Sequence, residues 1–207
     1  MDYTPYLVAT LIGYMFGCFN PAWLIVKIFY GKDIRTLGNG NPGASNTALN
    51  FGLGLGAGIA LLDIAKAIAA CLLTTKIYPY IKDLGILSAT FAVIGHMFPF
   101  TMNFKGGKGF AAYIGLTACV SLPLLGTLLP FAALAALCTQ YIIAATLTFI
   151  FTLPWCALNN NIDLTTTTAI AVTSIIIFIK HIENLKKIRT GTEPKISDAL
   201  NKKKEGE

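Results

Sequence analysis

The sequence predicts an all-α protein, a polytopic bundle of about seven transmembrane helices with its N-terminus outside and its C-terminus in the cytoplasm. Of the 207 residues, 55% are hydrophobic and 13% are charged, and the mean hydropathy is +0.64; soluble domains carry about 25% charged residues. The apolar residues form runs of roughly 20, which as helices can cross a hydrocarbon core of ~30 Å. Eight of the sixteen basic residues lie from Lys180 onward, and basic segments of this kind stay in the cytoplasm. The composition excludes most soluble enzymes, and the net charge of +6 points to anionic lipid rather than to nucleic acid.

Four of the spans are delimited by single apolar runs. Asn20-Pro21 interrupts the first, and the second carries Asp63 and Lys66 three positions apart at mid-membrane. Helical spacing lets these two charges pair, and pairing lowers the cost of burying them. We therefore expect a structural pair that braces the bundle rather than a transport path, which would need charged stations in other spans. The four runs cover about residues 6–29, 53–75, 84–100 and 164–179.

The orientation of the chain determines how many times the remaining apolar stretch, residues 110–158, crosses the membrane. Basic segments at 27–35, at 105–108 and in the C-terminal tail are all expected on the cytoplasmic side, so this stretch must cross an odd number of times. Three crossings of ~16 residues each use its apolar length, whereas a single crossing would leave about 30 apolar residues unused. Two lysines in the outer loop 76–82 argue mildly against this orientation.

The termini and the cysteines indicate a simple organisation. The N-terminal segment has neither a basic region nor a small-residue cleavage site, which argues against a cleaved signal peptide. Residues 1–195 are expected to form one transmembrane domain, followed by a hydrophilic, disordered cytoplasmic tail at 196–207. The five cysteines lie within apolar runs, in odd number and without a C-x-x-C pair, so we expect neither disulfides nor a metal site. No cofactor is indicated.

The first of three polar clusters, residues 38–46, is rich in glycine and asparagine. It contains a G-x-G-x-x-G pattern, but a membrane span rather than a strand precedes it, which excludes a Rossmann site. It also lacks the lysine followed by Ser or Thr that marks a P-loop. Two interpretations remain. One is an ordinary turn, which this segment alone favours; the other is a loop whose glycines turn N–H groups inward and whose Asn and Ser side chains bind oxyanions.

The second cluster begins with His96-Met-Phe-Pro and ends with Lys105-Gly-Gly-Lys-Gly109. Two lysines around paired glycines, at a membrane surface and just before a helix, can form a phosphate cradle. Backbone N–H groups, the positive end of the helix and the lysine charge would all favour an anion there. A positive-inside anchor with flexible glycines fits the segment equally well.

The third cluster, residues 181–193, combines His181 and Asn184 on one helix face, because the two are three positions apart. A lone histidine at a helix end more often caps that end. Paired with Asn184 and facing another cytoplasmic segment, His181 becomes a candidate site residue. All three clusters lie on the predicted cytoplasmic side, whereas the outer loops carry no such sequence, so a function at that face is predicted.

These three clusters, in this order, resemble the acyl-phosphate-dependent glycerol-3-phosphate acyltransferases, small bacterial membrane enzymes with seven spans. The resemblance covers nearly the whole chain, from Asn20-Pro21 to Glu193. Its most specific part is His96-Met-Phe-Pro followed by Phe104-Lys-Gly-Gly-Lys-Gly109, which is similar to the family's second motif almost letter for letter. The other matching residues are Asp63 and Lys66, for the family's Asp-x-x-Lys, and His181, Asn184, Gly191 and Glu193, for its third motif.

The resemblance implies transfer of a fatty acyl group from long-chain acyl phosphate to the 1-hydroxyl of glycerol 3-phosphate. The products would be lysophosphatidic acid and phosphate, formed for phospholipid biosynthesis at the cytoplasmic face of a bacterial inner membrane, within the lipid bilayer and without nucleic acid. The implied catalytic residues are Lys108, which would bind phosphate, Asn184, which would position substrate, and His181, which would orient or deprotonate the hydroxyl. A base supplied by the substrate's own phosphate is equally compatible. The implied substrate-binding residues are Asn39, Asn41, Ser45, Asn46, Lys105, Gly106, Gly107 and Gly109 (with the N–H groups of the three glycines on phosphate), His96 framing the loop, and Glu193.

Four departures fall where the family places functional residues. Asn39 stands where the family usually has serine, Ser45 where it has threonine, and Lys187 where it has an arginine. Leu49 replaces another arginine, one thought to help bind substrate phosphate, and retains neither its charge nor its hydrogen bonds. Losing a charged hydrogen bond costs a few kcal/mol of affinity, so a divergent or weak enzyme is expected.

Functions of other classes stay open beside this one. A catalytically weak or silent relative that binds lipid or partner proteins is favoured by Leu49 and Asn39. A small anion transporter would show polar residues through the bilayer and inverted repeats, and neither is evident in the sequence. The soluble-type acyltransferases are excluded, because their His followed five positions later by Asp is absent after both His96 and His181.

Overall fold

A computed structural model describes residues 2–201, and within that range the chain is built from helices and the loops between them. The predicted fold class, an all-helical polytopic membrane protein, is confirmed; the number of crossings and the orientation stay predictions. The α-helices are α1 (Thr4–Cys18), α2 (Pro21–Tyr30), α3 (Ala44–Phe51), α4 (Leu53–Ile77), α5 (Leu84–Met97), α6 (Phe110–Val120), α7 (Leu122–Thr139), α8 (Ile142–Asn159), α9 (Leu164–Arg189) and α10 (Ile196–Asn201).

Six segments of the described chain are long and apolar enough to cross a membrane. Helices α1 and α2 count as one such segment, Thr4–Tyr30, and Leu84–Met102 extends past the end of α5; the others are α4, α7, α8 and α9. The predicted division of residues 110–158 into three similar spans differs from the structure, where α6, α7 and α8 have 11, 18 and 18 residues. Helix α6 is therefore only about 17 Å long at 1.5 Å per residue, short of the ~30 Å core.

Helices α1 and α5 pack in close contact through glycines. A Cβ atom added at Gly13 would lie 2.0 Å from the carbonyl oxygen of Ser88, and one at Gly17 would lie 2.2 Å from that of Ala92. Gly95 on α5 makes the reciprocal approach to Tyr14. Small residues four apart let the backbones of membrane helices meet, and here they bring the end of α1 to the end of α5.

The break at Asn20-Pro21 connects α1 to the first polar loop. The side-chain oxygen of Asn20 accepts a hydrogen bond from the Trp23 amide at 2.8 Å and caps α2, while Pro21 occupies the first turn. The Asn20 amide nitrogen donates to the Pro42 carbonyl at 3.0 Å. The sequence feature that interrupts the first apolar run thus fixes the 31–43 loop against the bundle.

The loops gather at two ends of the bundle. At one end the Lys82 ammonium donates to the Asn161 carbonyl at 2.9 Å. At the other end lie the three polar clusters, and α10 docks there through a 2.9 Å hydrogen bond from the Ile196 amide to the Gln140 carbonyl. Helix α10 occupies the first part of the tail that was expected to be disordered. Residues 202–207 lie outside the described residues, and the domain boundary at 195 stays a prediction.

Candidate active site

The glycine-rich loop between α5 and α6 is held by its own backbone. The Gly107 amide donates to the His96 carbonyl at 3.1 Å and the Gly106 amide donates to the Met97 carbonyl at 3.3 Å. These two N–H groups, which the sequence predicts to bind phosphate, therefore donate to carbonyls at the end of α5 in this structure. What remains available to a ligand from this segment is chiefly the charge of Lys105 and Lys108.

The same loop lies directly on the ring of His96. A Cβ atom at Gly107 would come within 2.1 Å of His96 Nε2, and one at Gly106 within 2.1 Å of the His96 carbonyl oxygen. At these two positions there is no space for a side chain, so the paired glycines allow the loop to approach the buried His96 ring closely. His96 frames the loop from below.

A buried charge cluster supports His96. The predicted pairing of Asp63 and Lys66 is confirmed, with Lys66 Nζ 2.7 Å from Asp63 Oδ1. His96 Nδ1 joins them, 2.8 Å from Lys66 Nζ and 3.2 Å from Asp63 Oδ1. The Lys66 ammonium also donates to the carbonyls of Gly17 and Phe19 at 3.2 and 2.7 Å. The cluster therefore ties α1, α4 and α5 together beneath the glycine-rich loop.

Lys108, Asn184 and Glu193 form a hydrogen-bonded chain above the loop. The Lys108 ammonium donates to Asn184 Oδ1, and Asn184 Nδ2 donates to Glu193 Oε1 at 2.5 Å. Burial lowers the pKa of Lys108 from its ordinary value, with the nearby carboxylates of Glu193 and Glu183 acting in the opposite direction. Asn184 is thereby oriented by two charged neighbours, one of each sign.

His181 lies one helical turn before Asn184 on α9, and both side chains are buried. His181 Nδ1 is 2.8 Å from the Ile177 carbonyl oxygen. A carbonyl oxygen only accepts, so Nδ1 carries the hydrogen and the lone pair of a neutral ring lies on Nε2. The backbone of α9 thus prepares His181 to accept a proton at Nε2.

The first polar cluster forms a loop organised by Asn46. This side chain is fully buried; its nitrogen donates to the Leu37 carbonyl at 2.9 Å and its oxygen accepts from the Asn39 amide at 3.1 Å. Asn46 is predicted to bind substrate; in the structure, its side-chain amide makes the hydrogen bonds that hold the loop. Asn39 and Asn41 lie at the surface of the loop and face the lysines of the second and third clusters across a cavity.

That polar cavity has a volume of about 360 Å³ and lies between the three clusters. Of the described residues that line it, one, Glu183, is acidic and five are basic: Arg35, Lys105, Lys108, Lys180 and Lys187. Sequence reasoning did not single out Arg35 or Lys180 as site residues. For Lys180 a signal existed, because it stands four positions before Asn184 and so shares its helix face. An excess of four positive side chains in one cavity favours an anionic ligand.

Arg35 is positioned by Asp33. Its guanidinium contacts both carboxylate oxygens, at 2.7 to 3.1 Å, and donates to the Met102 carbonyl at 3.3 Å. Hydrogen bonding to Arg35 holds the pKa of Asp33 at about 2. Arg35 thus links the first polar loop to the second across the floor of the polar cavity.

An apolar cavity of about 490 Å³ adjoins the polar one. Small residues of α4, including Gly56, Ala57 and Ala60, and isoleucines of α6 and α8 form its walls. Every catalytic or substrate-binding residue predicted from the sequence lines one of the two cavities except Asn46, and of the predicted structural pair Asp63 lines the apolar cavity. Four of the described residues line both cavities and mark their junction: Asn39, Asn41, Lys108 and Asn184.

Within residues 2–201, no group of three or more His, Cys, Asp or Glu side chains is placed to hold a metal ion.

Comparison with known proteins gives consistent results. A family model described as glycerol-3-phosphate acyltransferase matches residues 7–191. The glycerol-3-phosphate acyltransferase of Anaplasma marginale (strain Florida) is 30% identical over 197 residues, which cover 95% of this chain and 98% of the relative. That of Rhodopseudomonas palustris (strain HaA2) is 34% identical over 205 residues, covering 93% and 96%.

Two solved structures share the fold. The crystal structure of PlsY (YgiH), an integral membrane glycerol 3-phosphate acyltransferase, in its glycerol 3-phosphate form superposes with a TM-score of 0.82 at 24% identity, over 92% of this chain and 95% of that one. Its lysophosphatidic acid form gives a TM-score of 0.80 at 23% identity, over 94% and 98%.

Proposed function

The chain belongs to the glycerol-3-phosphate acyltransferase family, and from that premise we propose that it transfers a fatty acyl group from acyl phosphate to the 1-hydroxyl of glycerol 3-phosphate. The products are lysophosphatidic acid and inorganic phosphate. One observation carries the proposal: a strongly basic polar cavity meets an apolar cavity at Lys108 and Asn184. The reaction needs such a junction, because it joins an acyl chain to a small phosphorylated alcohol. The PlsY forms named for glycerol 3-phosphate and lysophosphatidic acid are consistent with this substrate and product.

The chemistry suits residues that position and stabilise rather than attack. An acyl phosphate is a mixed anhydride with a good leaving group, so the alcohol oxygen forms a new bond to the acyl carbon and the carbon–oxygen bond to phosphate breaks. The phosphate departs with the bonding electron pair. Holding the two reactants side by side supplies several kcal/mol of the barrier, and no covalent enzyme nucleophile is required.

Each residue at the junction then has a role. The Lys108 ammonium binds the phosphate of the acyl donor and stabilises its charge as it leaves. Asn184, oriented by Lys108 and Glu193, positions the alcohol. The hydroxyl proton goes to His181 Nε2, whose lone pair is set by the hydrogen bond at Nδ1. The substrate's own phosphate is the alternative base.

The membrane setting follows from the apolar cavity. The acyl chain lies along the small residues of α4, and the polar loops face the cytoplasm of a bacterial cell, where water-soluble glycerol 3-phosphate enters. The product leaves into the lipid for phospholipid synthesis.

Leu49 lines the apolar cavity, so the arginine found there in the family would bring a charge to the cavity junction. We expect Leu49→Arg to raise activity.

The test is phosphate release by the purified protein in detergent with glycerol 3-phosphate and palmitoyl phosphate. Release should require both substrates, yield lysophosphatidic acid, and fall at least 100-fold in Lys108→Ala. Lys186→Ala, an exposed lysine on α9, is the matched control and should be unaffected. Palmitoyl-CoA in place of palmitoyl phosphate should give no product. A folded protein that shows no release, beside an active relative, would identify a silent family member.

A further inference from the structure

Lys180 is a half-buried lysine of α9 that lines the polar cavity and not the apolar one. It directly precedes His181 and stands one helical turn before Asn184, and each of these three residues lines at least one of the two cavities. The roles assigned to Lys108, Asn184 and His181 leave Lys180 without one.

The contacts of Lys180 hold its ammonium at the start of the glycine-rich loop. Nζ donates to the Met97 carbonyl at 3.2 Å and lies 4.5 Å from the centroid of the Phe98 ring. The Met97 carbonyl also accepts the Gly106 amide, so the ammonium is fixed relative to the loop. Both partners of Lys180 are neutral, which leaves its charge uncompensated.

The charges around the polar cavity show where an anion is needed. Arg35 pairs with Asp33 at 2.7 Å, and Lys187 pairs with Glu183 at 2.8 Å. Among residues 2–201, neither Lys108 nor Lys180 has a carboxylate oxygen within ion-pair distance, and both are half-buried. A partly desolvated ammonium without a counter-ion is unfavourable, and a doubly charged phosphate would compensate it.

The two lysines occupy different places relative to the acyl chain. Lys108 lines both cavities, so a phosphate bound there can carry a chain that extends into the apolar cavity. Lys180 lines the polar cavity and is not among the residues that line the apolar one. We propose that Lys180 binds the phosphate of glycerol 3-phosphate, while Lys108 binds that of the acyl donor. This inference rests on the proposed function and divides the two phosphates between two lysines.

The test separates the two Michaelis constants. Lys180→Met should raise the KM for glycerol 3-phosphate roughly 10- to 100-fold, the loss expected for one charge-assisted hydrogen bond, and change the KM for palmitoyl phosphate less than twofold. Lys180→Arg should recover most of the affinity, and Lys186→Met should leave both constants unchanged. An unchanged KM for glycerol 3-phosphate in Lys180→Met, or an equal rise in both constants, would overturn the proposal.

A second measurement uses the unmodified protein and needs neither turnover nor a stable variant. Lys180 and Lys186 are reductively methylated in detergent, and the extent at each is read by mass spectrometry. Glycerol 3-phosphate should protect Lys180 but not Lys186, and palmitoyl phosphate should protect Lys180 less. Equal methylation of Lys180 with and without glycerol 3-phosphate would contradict the assignment. Absence of phosphate release by the wild-type chain would instead contradict the proposed function, so the two failures are distinguishable.

Discussion

Lys108 combines a lowered pKa with a position that requires its charge. Burial disfavours the ammonium form, so its pKa lies below the ordinary 10.5. Because only the ammonium binds phosphate, kcat/KM should fall as pH rises through this pKa, earlier than for an exposed lysine. A bound phosphate favours the ammonium, so the same limb should lie at higher pH in the kcat profile. Lys108→Arg should move both limbs to higher pH, and an identical alkaline limb in that variant would show that another group, such as Lys180, titrates.

His181 has a geometry that distinguishes two sources of the base. With Nδ1 committed to the Ile177 carbonyl, Nε2 is the free acceptor. We expect His181→Gln to lower kcat about 10²- to 10⁴-fold, the usual contribution of a general base, with both KM values changed only a few-fold. His96→Gln is the control. Because His96 supports the glycine-rich loop, this variant should lower the thermal unfolding temperature as well as the activity. If folded His181→Gln loses less than tenfold in kcat, the base that accepts the hydroxyl proton is the substrate's phosphate and not His181.

At the scale of the helices, the buried cluster of Asp63, Lys66 and His96 joins three elements at one point. Asp63→Asn would leave the Lys66 ammonium buried with neutral partners only, and breaking a buried ion pair costs about 3–5 kcal/mol. We therefore expect a marked drop in thermal unfolding temperature in detergent. Asp63→Asn combined with Lys66→Met removes both charges and should unfold at a higher temperature than Asp63→Asn alone. The opposite order would mean that the ion pair does not stabilise the bundle.

The same cluster shows which features of helices and loops a sequence can predict. Asp63 and Lys66 are neighbours on one helix, so their pairing follows from local spacing. His96 joins them from 30 positions away, through the packing of α5 against α4, which no local pattern specifies. Paired glycines predicted a special backbone, but whether their N–H groups face a ligand or the end of α5 depends on tertiary contacts. Lys180 was missed because its cavity exists only when α9 meets the loop after α5.

At the scale of the whole molecule, the two ends of the bundle differ in charge. Five basic residues line the cavity at the site end. At the opposite end, the last turn of α4 and the segment that joins it to α5 carry two, Lys76 and Lys82. By the positive-inside rule, this excess of positive charge predicts that the site end faces the cytoplasm. In the predicted orientation, the basic cavity would open toward the compartment that contains glycerol 3-phosphate, the substrate proposed above.

Cysteine labelling tests the orientation and the role of α6 together. After the five native cysteines are replaced by alanine, Tyr80→Cys, Lys32→Cys and Lys195→Cys each place one thiol at an exposed position. In sealed spheroplasts an impermeant maleimide should label only Tyr80→Cys; all three should react after detergent is added. If the short α6 crosses the membrane, six helices, α4 to α9, separate Lys32 from Lys195. An even number of crossings puts both positions on the same side, so both should be protected from the maleimide. Labelling of Lys195→Cys but not Lys32→Cys would show that α6 turns back within the membrane, and labelling of Lys32→Cys would invert the orientation.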